Sequence, residues 1–184
     1  MSFNPSHYDK SITLFAPDGT LKQVDYAEKA ASKGQSLICC LTKDNKIILC
    51  CPSQTSQLLL DRRAVDKVSQ VDENLYIAFA GLAGDGRALT LEARSLCRDY
   101  RMRFGSSPPV SYLANKIGKI QHTATLKGGE RPYGIQVLIF GYDLNRYDSL
   151  SLSPSLSPSQ CHIYMTHPSG EVTKWRAIVI GNKA

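Results

Sequence analysis

The chain has 184 residues, enough for one domain with a sizeable core, and its 42% hydrophobic and 21% charged content is ordinary for a globular protein. Its formal net charge of +6 raises the question of nucleic-acid binding, but the sequence has no polybasic run and no interleaving of basic and aromatic residues. The longest apolar runs are far too short to span a bilayer, and the first ten residues contain no apolar segment typical of a secretory signal. We therefore expect neither nucleic acid nor a membrane among the partners.

The predicted elements begin with a polar, extended arm and a sharp turn. Pro17 presets φ, Asp18 can bond its own backbone, and Gly19 accepts a positive φ. The segment after the turn is a good helix candidate that ends where Gly34 supplies a stop. We therefore divide the chain into an arm, turn and first helix at 1–34 and a single domain at 35–184.

The domain itself alternates strand and helix patterns. Strands are predicted at 36–41, 46–51 and 74–80, helices at about 85–104 and 110–126, and a further strand from 134. The second of these helices carries an apolar stripe of Leu113, Ile117, Ile120 and Ala124. A hairpin is predicted to pair 161–166 with 171–180 across Pro168-Ser169-Gly170. This order implies sheet layers with a helical pair packed on one face.

Two charged or polar stretches leave alternatives open. Five arginines gather on the predicted helix at 85–104, namely Arg87, Arg94, Arg98, Arg101 and Arg103. They indicate either a solvated face or a face that meets an acidic neighbouring subunit. The Ser/Pro-rich stretch at 149–160 cannot supply a regular strand ladder and is expected to form a solvated loop, with phosphorylation of Ser-Pro a weaker alternative.

Cysteine and histidine spacing gives no support for a metal site. The six cysteines form no C-x-x-C pair and the four histidines form no H-x-x-x-H pattern, so no metal and no cofactor are expected. The Cys-Cys pairs at 39–40 and 50–51 fall on two neighbouring predicted strands and could lie opposite each other. Without an export signal, buried reduced thiols of a cytosolic protein are the better interpretation.

Three spaced elements of the arm carry a resemblance to a known family. Tyr8-Asp9-Lys10 comes first, Phe15-Ala16-Pro17-Asp18-Gly19 follows, and Gln23-Val24-Asp25-Tyr26-Ala27 comes third. In this order they resemble the N-terminal signature of proteasome α-type subunits. Lys10 stands where the family usually has Arg, which keeps the charge and loses the bidentate fork. Further matches extend over nearly all of residues 7 to 181, with a gap at 149–160.

The resemblance implies a fold. It predicts an α+β structure, the four-layer αββα Ntn-hydrolase sandwich, in which two sheets lie between two helix layers. Members of the family continue past Ile180-Gly181 with further helices and strands, so the resemblance implies that the last of these are missing from this chain. We expect a C-terminally shortened chain, a truncated isoform or a gene-model artefact, with an exposed apolar patch where the helix cover is lost.

The resemblance also implies a function, that of a non-catalytic α-ring subunit of the 20S proteasome core. Such a subunit contributes to ring assembly, gating of the substrate pore and regulator docking in ATP- and ubiquitin-dependent protein degradation, in the cytoplasm and nucleus. Its implied partners are the other α subunits, the β ring, activators or the regulatory particle, and unfolded polypeptides in transit. The implied gate and interface residues are Tyr8, Asp9, Lys10, Pro17, Asp18, Gly19, Tyr26 and Arg131.

The mechanism expected from the resemblance is a contact between neighbouring copies. The Tyr8 hydroxyl and the Asp9 carboxylate would bond with the Pro17 turn and with Tyr26 of an adjacent copy, which would hold the arm upright and the pore open. The family often has a lysine where activators dock, and Ser53 and Gln54 stand in this region instead. A full activator pocket is therefore not predicted.

No catalytic residue is expected. Active relatives use an N-terminal Thr whose own amine is the base, and that position falls here at about Gln35-Ser36. Gln35 cannot attack a carbonyl, and Ser36 could do so only if the arm were removed. Lys67 matches the lysine that tunes the nucleophile and is interpreted as a structural leftover. Two alternatives remain: a truncated, non-assembling interaction protein, and an Ntn threonine or serine peptidase.

Overall fold

The computed structural model describes residues 9–52, 67–143 and 160–182. Its helices are α1 (Lys22–Ser32), α2 (Ala83–Phe104) and α3 (Val110–Leu126). Its strands are β1 (Leu37–Leu41), β2 (Ile47–Cys50), β3 (Val68–Asp72), β4 (Leu75–Gly81), β5 (Ile135–Asp143), β6 (Gln160–Thr166), β7 (Val172–Trp175) and β8 (Ala177–Ile180). None of these helices is long and apolar enough to cross a bilayer.

The larger sheet is antiparallel and has the order β3-β4-β5-β6-β7. Its central strands are buried on both faces, which explains their nearly continuous apolar sequence. Ile77 and Ile139 point toward the helices, whereas Ala78 and Leu138 point toward the second sheet. This alternation follows from the two-residue period of a strand.

Helices α2 and α3 cover one face of the larger sheet. Leu113 and Ile117 of α3 are fully buried with Leu89 of α2, so the predicted apolar stripe is confirmed as the core-facing side. A side chain at Gly86 would place its Cβ 2.3 Å from the Phe79 ring, so this glycine permits the close packing of α2 on β4. Gly105, in a left-handed conformation with φ of +69°, ends α2.

The smaller sheet has the order β2-β1-β8 and packs on the opposite face of the larger one. Leu37, Cys39 and Ile180 point into the shared core. The other face of this sheet exposes Ile38, Ile48 and Val179. The described residues therefore form a helix pair and two stacked sheets, in agreement with the predicted α+β sandwich. The second helix layer of the four-layer arrangement is not among them.

Two details of the strand prediction were wrong. The second strand of the predicted hairpin, 171–180, divides at Arg176 into β7 and β8. Strand β7 pairs with β6, whereas β8 pairs with β1 in the other sheet. The Arg176 carbonyl accepts a bond from the Leu41 amide at 2.7 Å and secures this change of sheet. Strand β3 was not predicted, because three of the five residues in its sequence VSQVD are polar and the strand lies at the sheet edge.

The cysteines are less uniformly buried than expected. Cys39 and Cys97 are buried, and burial raises the pKa of each thiol to about 12. Cys50 and Cys51 are exposed. In the register of β1 and β2, Cys50 lies opposite Ile38, so the two Cys-Cys pairs do not face each other directly. All six thiols are free.

Candidate functional site

The turn before α1 is closed by its own backbone. The Gly19 amide donates to the Ala16 carbonyl at 2.8 Å, and the Ala16 amide donates to the Thr20 carbonyl at 2.9 Å. Gly19 adopts a φ of +80°, which a side chain would disfavour. The structure therefore confirms the reversal that Pro17-Asp18-Gly19 predicts, and it leaves all three residues exposed.

Asp18 fixes the turn to the start of α1. One carboxylate oxygen accepts bonds from the Thr20 amide at 3.1 Å and the Thr20 hydroxyl at 2.8 Å, and the other accepts from the Lys22 ammonium at 2.6 Å. These bonds, that of Lys22 first, lower the pKa of Asp18 to about 2. Helix α1 has no side-chain N-cap at Leu21, so the ion pair with Lys22 ties the turn to the first residue of the helix.

The described end of the arm lies against α1. The Gln23 side-chain amide donates to the Asp9 carbonyl. The nearby Asp9 carboxylate is the main cause that raises the pKa of Tyr26. The Lys29 ammonium lies 5.6 Å from the centre of the Tyr26 ring. Tyr26 is nevertheless 43% exposed, so one side of its ring remains available for contact outside the chain.

Of the predicted gate residues, the three turn residues and Tyr26 are exposed, and Asp9 is partly buried against α1. We call Asp9, Pro17, Asp18, Gly19 and Tyr26 the arm surface. Lys10 is exposed beside it, and Tyr8 lies outside the described residues. The Asp9 carboxylate lies near Tyr26 of its own chain. Its pairing with the Tyr26 of a neighbouring copy stays a prediction.

Arg131 does not belong to the arm surface. Its guanidinium forms a two-pronged pair with Asp85 of α2, with both N–O distances at 2.7 Å. Asp85 also accepts a bond from the buried Gly134 amide at 3.0 Å. The bonds from Arg131 are the main cause that lowers the pKa of Asp85, and the bond from the Gly134 amide lowers it further. Burial has the opposite effect but is outweighed. Sequence reasoning missed Asp85, since no local pattern links positions 46 residues apart.

The residues at the expected nucleophile position are held by local bonds. The Gln35 side-chain amide donates to the Pro52 carbonyl at 2.6 Å, and the Ser36 hydroxyl donates to the Asn182 carbonyl. A Cβ on Gly181 would lie 2.6 Å from the Gln35 carbonyl oxygen, so the backbone is close-packed here. Partial burial lowers the pKa of Lys67.

Two of the arginines on α2 have partners on the neighbouring β3–β4 hairpin. Arg94 donates to the Gln70 carbonyl through two nitrogens at 3.2 and 3.1 Å. Arg101 pairs with Glu73 at 2.9 Å and with Asp72. These two side chains therefore brace the hairpin. Arg98 and Arg103 are exposed, so both interpretations stay open for them.

Comparison with known proteins identifies the family. A family profile described as proteasome subunit matches residues 31–184, and a second, described as the N-terminal signature of the A-type proteasome subunit, matches residues 8–30. The chain belongs to the proteasome α-subunit family. The resemblance based on Tyr8 to Ala27 is confirmed, because the second profile covers that stretch directly.

Curated relatives agree with this assignment. The alpha type-7 proteasome subunit of Dictyostelium discoideum is 36% identical over 179 residues, which is 97% of this chain and 66% of the relative. A proteasome alpha subunit of Saccharolobus islandicus is 34% identical, and one of Saccharolobus solfataricus is 33% identical. Each of these two matches covers 98% of this chain and 70% of the relative. The chain thus spans about two thirds of the length of these proteasome subunits.

Proposed function

We propose that this chain is a non-catalytic α-ring subunit of the proteasome core, and that its arm surface helps to order the pore through which unfolded substrates pass. The observation that carries the proposal is the bond from the Gln23 side-chain amide to the Asp9 carbonyl, which holds the arm against α1 beside an internally braced turn. In the ring, the other α subunits and the β ring would be its partners. Activators or the regulatory particle would dock on the assembled ring during ATP- and ubiquitin-dependent degradation, in the cytoplasm and nucleus.

The geometry supports an exchange of partners on assembly. In the single chain, Gln23 holds Asp9 against α1, with the Asp9 carboxylate near Tyr26. On assembly, the Asp9 carboxylate would move away from Tyr26 of its own chain and bond with the next subunit. The Tyr26 hydroxyl of its own chain would then be free to bond with Asp9 of the preceding subunit. A repeated exchange around a ring couples neighbouring arms.

The proposal that this chain is non-catalytic depends on an uncleaved backbone before Ser36. An N-terminal nucleophile needs a free amine at its own position as the base. The Ser36 nitrogen lies in a peptide bond after the described arm and α1. Its hydroxyl is also engaged with the Asn182 carbonyl.

The test is substrate admission by an assembled particle. The chain would be co-expressed with its ring partners, purified through a tag on one of the β subunits, and assayed with a short fluorogenic peptide in the presence of an activator. We expect Asp9→Ala and Tyr26→Phe each to lower peptide hydrolysis severalfold, since each removes one side of the bond. The matched control is Tyr142→Phe, which removes the hydroxyl of another partly exposed tyrosine at 38% exposure.

Three outcomes would contradict the proposal in different ways. Normal assembly with unchanged peptide hydrolysis in both variants would refute the gating role alone. Failure of the wild-type chain to enter any particle, seen as a free monomer on a native gel, would instead favour a non-assembling interaction protein. Mass spectrometry that finds a mature N-terminus at Ser36 would favour a peptidase.

A further inference from the structure

A cavity of about 560 Å³ opens at the end of the sandwich where β1 finishes and β6 begins. We call it the sheet-end pocket. Its lining includes Leu41, Asn45, Cys161, Lys174, Trp175 and Arg176. The arm surface and the Ser36 region are formed by other residues, and none of them lines this pocket.

The pocket has a fixed base. Asn45, in the turn between β1 and β2, has a φ of +56°, a conformation that Asn tolerates better than most residues. Its side-chain oxygen accepts a bond from the Cys161 amide at 3.0 Å and so joins the two sheets at the base of the pocket. The Trp175 indole donates to the Thr173 hydroxyl at 2.7 Å, which restrains the ring while 43% of Trp175 stays exposed.

The rim of the pocket is cationic. Lys174 and Arg176 are exposed, and neither has a carboxylate within ion-pair distance in the described part of the chain. The Lys174 ammonium lies 5.8 Å from the centre of the Tyr164 ring. The nearby acidic residue is Asp143. One of its carboxylate oxygens lies 3.7 Å from Nε2 of His162, and the other accepts a bond from the Val110 amide at 2.8 Å. Within the described ranges, these two basic groups therefore remain without an acidic partner.

An open strand edge runs beside this rim. Among the described strands, β7 pairs only with β6 and forms one edge of the larger sheet. Lys174 lies opposite Tyr164, which packs on the helix-side core, whereas Trp175 lies opposite Ile163, which faces the smaller sheet. The edge therefore presents a cation on one face and an aromatic ring on the other.

We propose that the sheet-end pocket and the open edge of β7 bind an extended, acidic segment of a partner protein. The segment adds to the sheet as a strand beside β7, and its backbone supplies the hydrogen bonds. Because side chains alternate along a strand, one carboxylate lies beside Lys174, and the next on the same face reaches Arg176 just beyond the end of β7. Apolar side chains at the intervening positions enter the cavity beside Trp175 and Leu41. Charge complementarity selects an acidic partner for this rim.

The single tryptophan of the chain, Trp175, reports binding directly. The probe is a capped seven-residue peptide of alternating Glu and Leu, titrated into the full chain while tryptophan emission is recorded. We expect a saturable change in emission, and none with the matching peptide of Lys and Leu. We expect Lys174→Glu combined with Arg176→Glu to weaken binding roughly tenfold or more, since two attractions become repulsions. The control, Arg98→Glu with Lys119→Glu, makes the same change in net charge on the helix layer and should alter binding less than about twofold.

The backbone contribution is tested on the wild-type chain. Two versions of the Glu-Leu peptide carry N-methyl groups on alternate residues. In one version the methyl groups remove the backbone donors along one edge of the added strand, and in the other version they remove those along the opposite edge. We expect one version to lose binding and the other to keep it, because only one edge of the peptide can pair with β7.

Several results would overturn the proposal. Equal weakening by the two double substitutions would show general charge attraction, and equal binding of both methylated peptides would exclude strand addition. Tryptophan emission that changes with chain concentration alone would assign this surface to a second copy of the chain. Unchanged emission over the whole titration would show that the peptide does not reach Trp175.

Discussion

The pair between Asp85 and Arg131 offers a direct test of how the first turn of α2 is held to the segment before β5. Asp85 accepts two bonds from Arg131 and one from the Gly134 amide. We consider three changes, Asp85→Ala, Asp85→Asn and Arg131→Ala. The first removes every bond, the second keeps an acceptor without its charge, and the third removes the guanidinium alone.

The expected magnitudes follow from exposure. The Arg131 side chain is 64% exposed, so solvent screens its pair, and Arg131→Ala should lower the free energy of unfolding by about 1 kcal/mol. The Asp85 side chain is only 12% exposed, and its loss leaves the buried Gly134 amide without an acceptor. We therefore expect Asp85→Ala to cost about 2–3 kcal/mol. In a chain of this size, each kcal/mol lowers the melting temperature by about 2–4 °C.

The same pair predicts a pH dependence. The pKa of Asp85 is lower in the folded chain than its ordinary value. Its contribution to stability is therefore complete above about pH 4, the range of an unperturbed Asp. It is lost as the pH falls through the lowered pKa of the folded state. The difference in stability between wild type and Asp85→Asn should shrink steadily in acid.

Urea unfolding followed by circular dichroism at several pH values measures these effects. The control is Glu130→Ala, which removes an exposed ion pair with Lys127 at 3.8 Å and should cost less than about 0.5 kcal/mol. The reasoning would be refuted if Asp85→Ala were no more destabilising than this control. It would also fail if the Asp85→Asn difference stayed constant down to about pH 2.5.

Two further predictions concern close packing and thiol burial. Gly81→Ala should cost more than about 2 kcal/mol, since Gly81 has a φ of +123° and an added Cβ would lie 2.2 Å from the Gly134 carbonyl oxygen. The control is Gly84→Ala, whose added Cβ would meet no neighbouring element within 4 Å. It should leave the free energy of unfolding unchanged or raise it by up to about 1 kcal/mol. Equal urea midpoints for the two variants would contradict the argument. With a thiol reagent at mildly alkaline pH, Cys50 and Cys51 should react at once, whereas Cys39 and Cys97, each with a pKa of about 12, should react only on unfolding. Rapid labelling of all six cysteines without denaturant would contradict this prediction. It would show that the contacts that bury Cys39 between the sheets and Cys97 beneath the helices open readily.

Local chemistry explains which elements could be predicted. The turn at Pro17-Asp18-Gly19 needs no distant partner, because its bonds are made within four residues of Asp18. Helix α3 follows from the spacing of Leu113 and Ile117, since a helix that buries one side repeats apolar residues at that interval. The family signature lies in the same short-range part of the chain.

Long-range pairing explains what could not be predicted. The change of sheet at Arg176 depends on the amide of Leu41, which lies far away in the sequence. Strand β3 has a weak pattern of its own and exists because β4 supplies its hydrogen bonds. The partner of Arg131 was likewise hidden, because an ion pair between distant residues leaves no periodic trace.

The sequence by itself therefore determined the arm, its turn, the helix pair and the family, since each depends on residues close together along the chain. Only the tertiary structure decided the sheet that receives each strand, the bond between Gln23 and Asp9, the pairing of Asp85 with Arg131, and the assembly of the sheet-end pocket. The physical reason is the same in each case. These contacts form when separate elements stack, and the stacking follows from burial of the core as a whole.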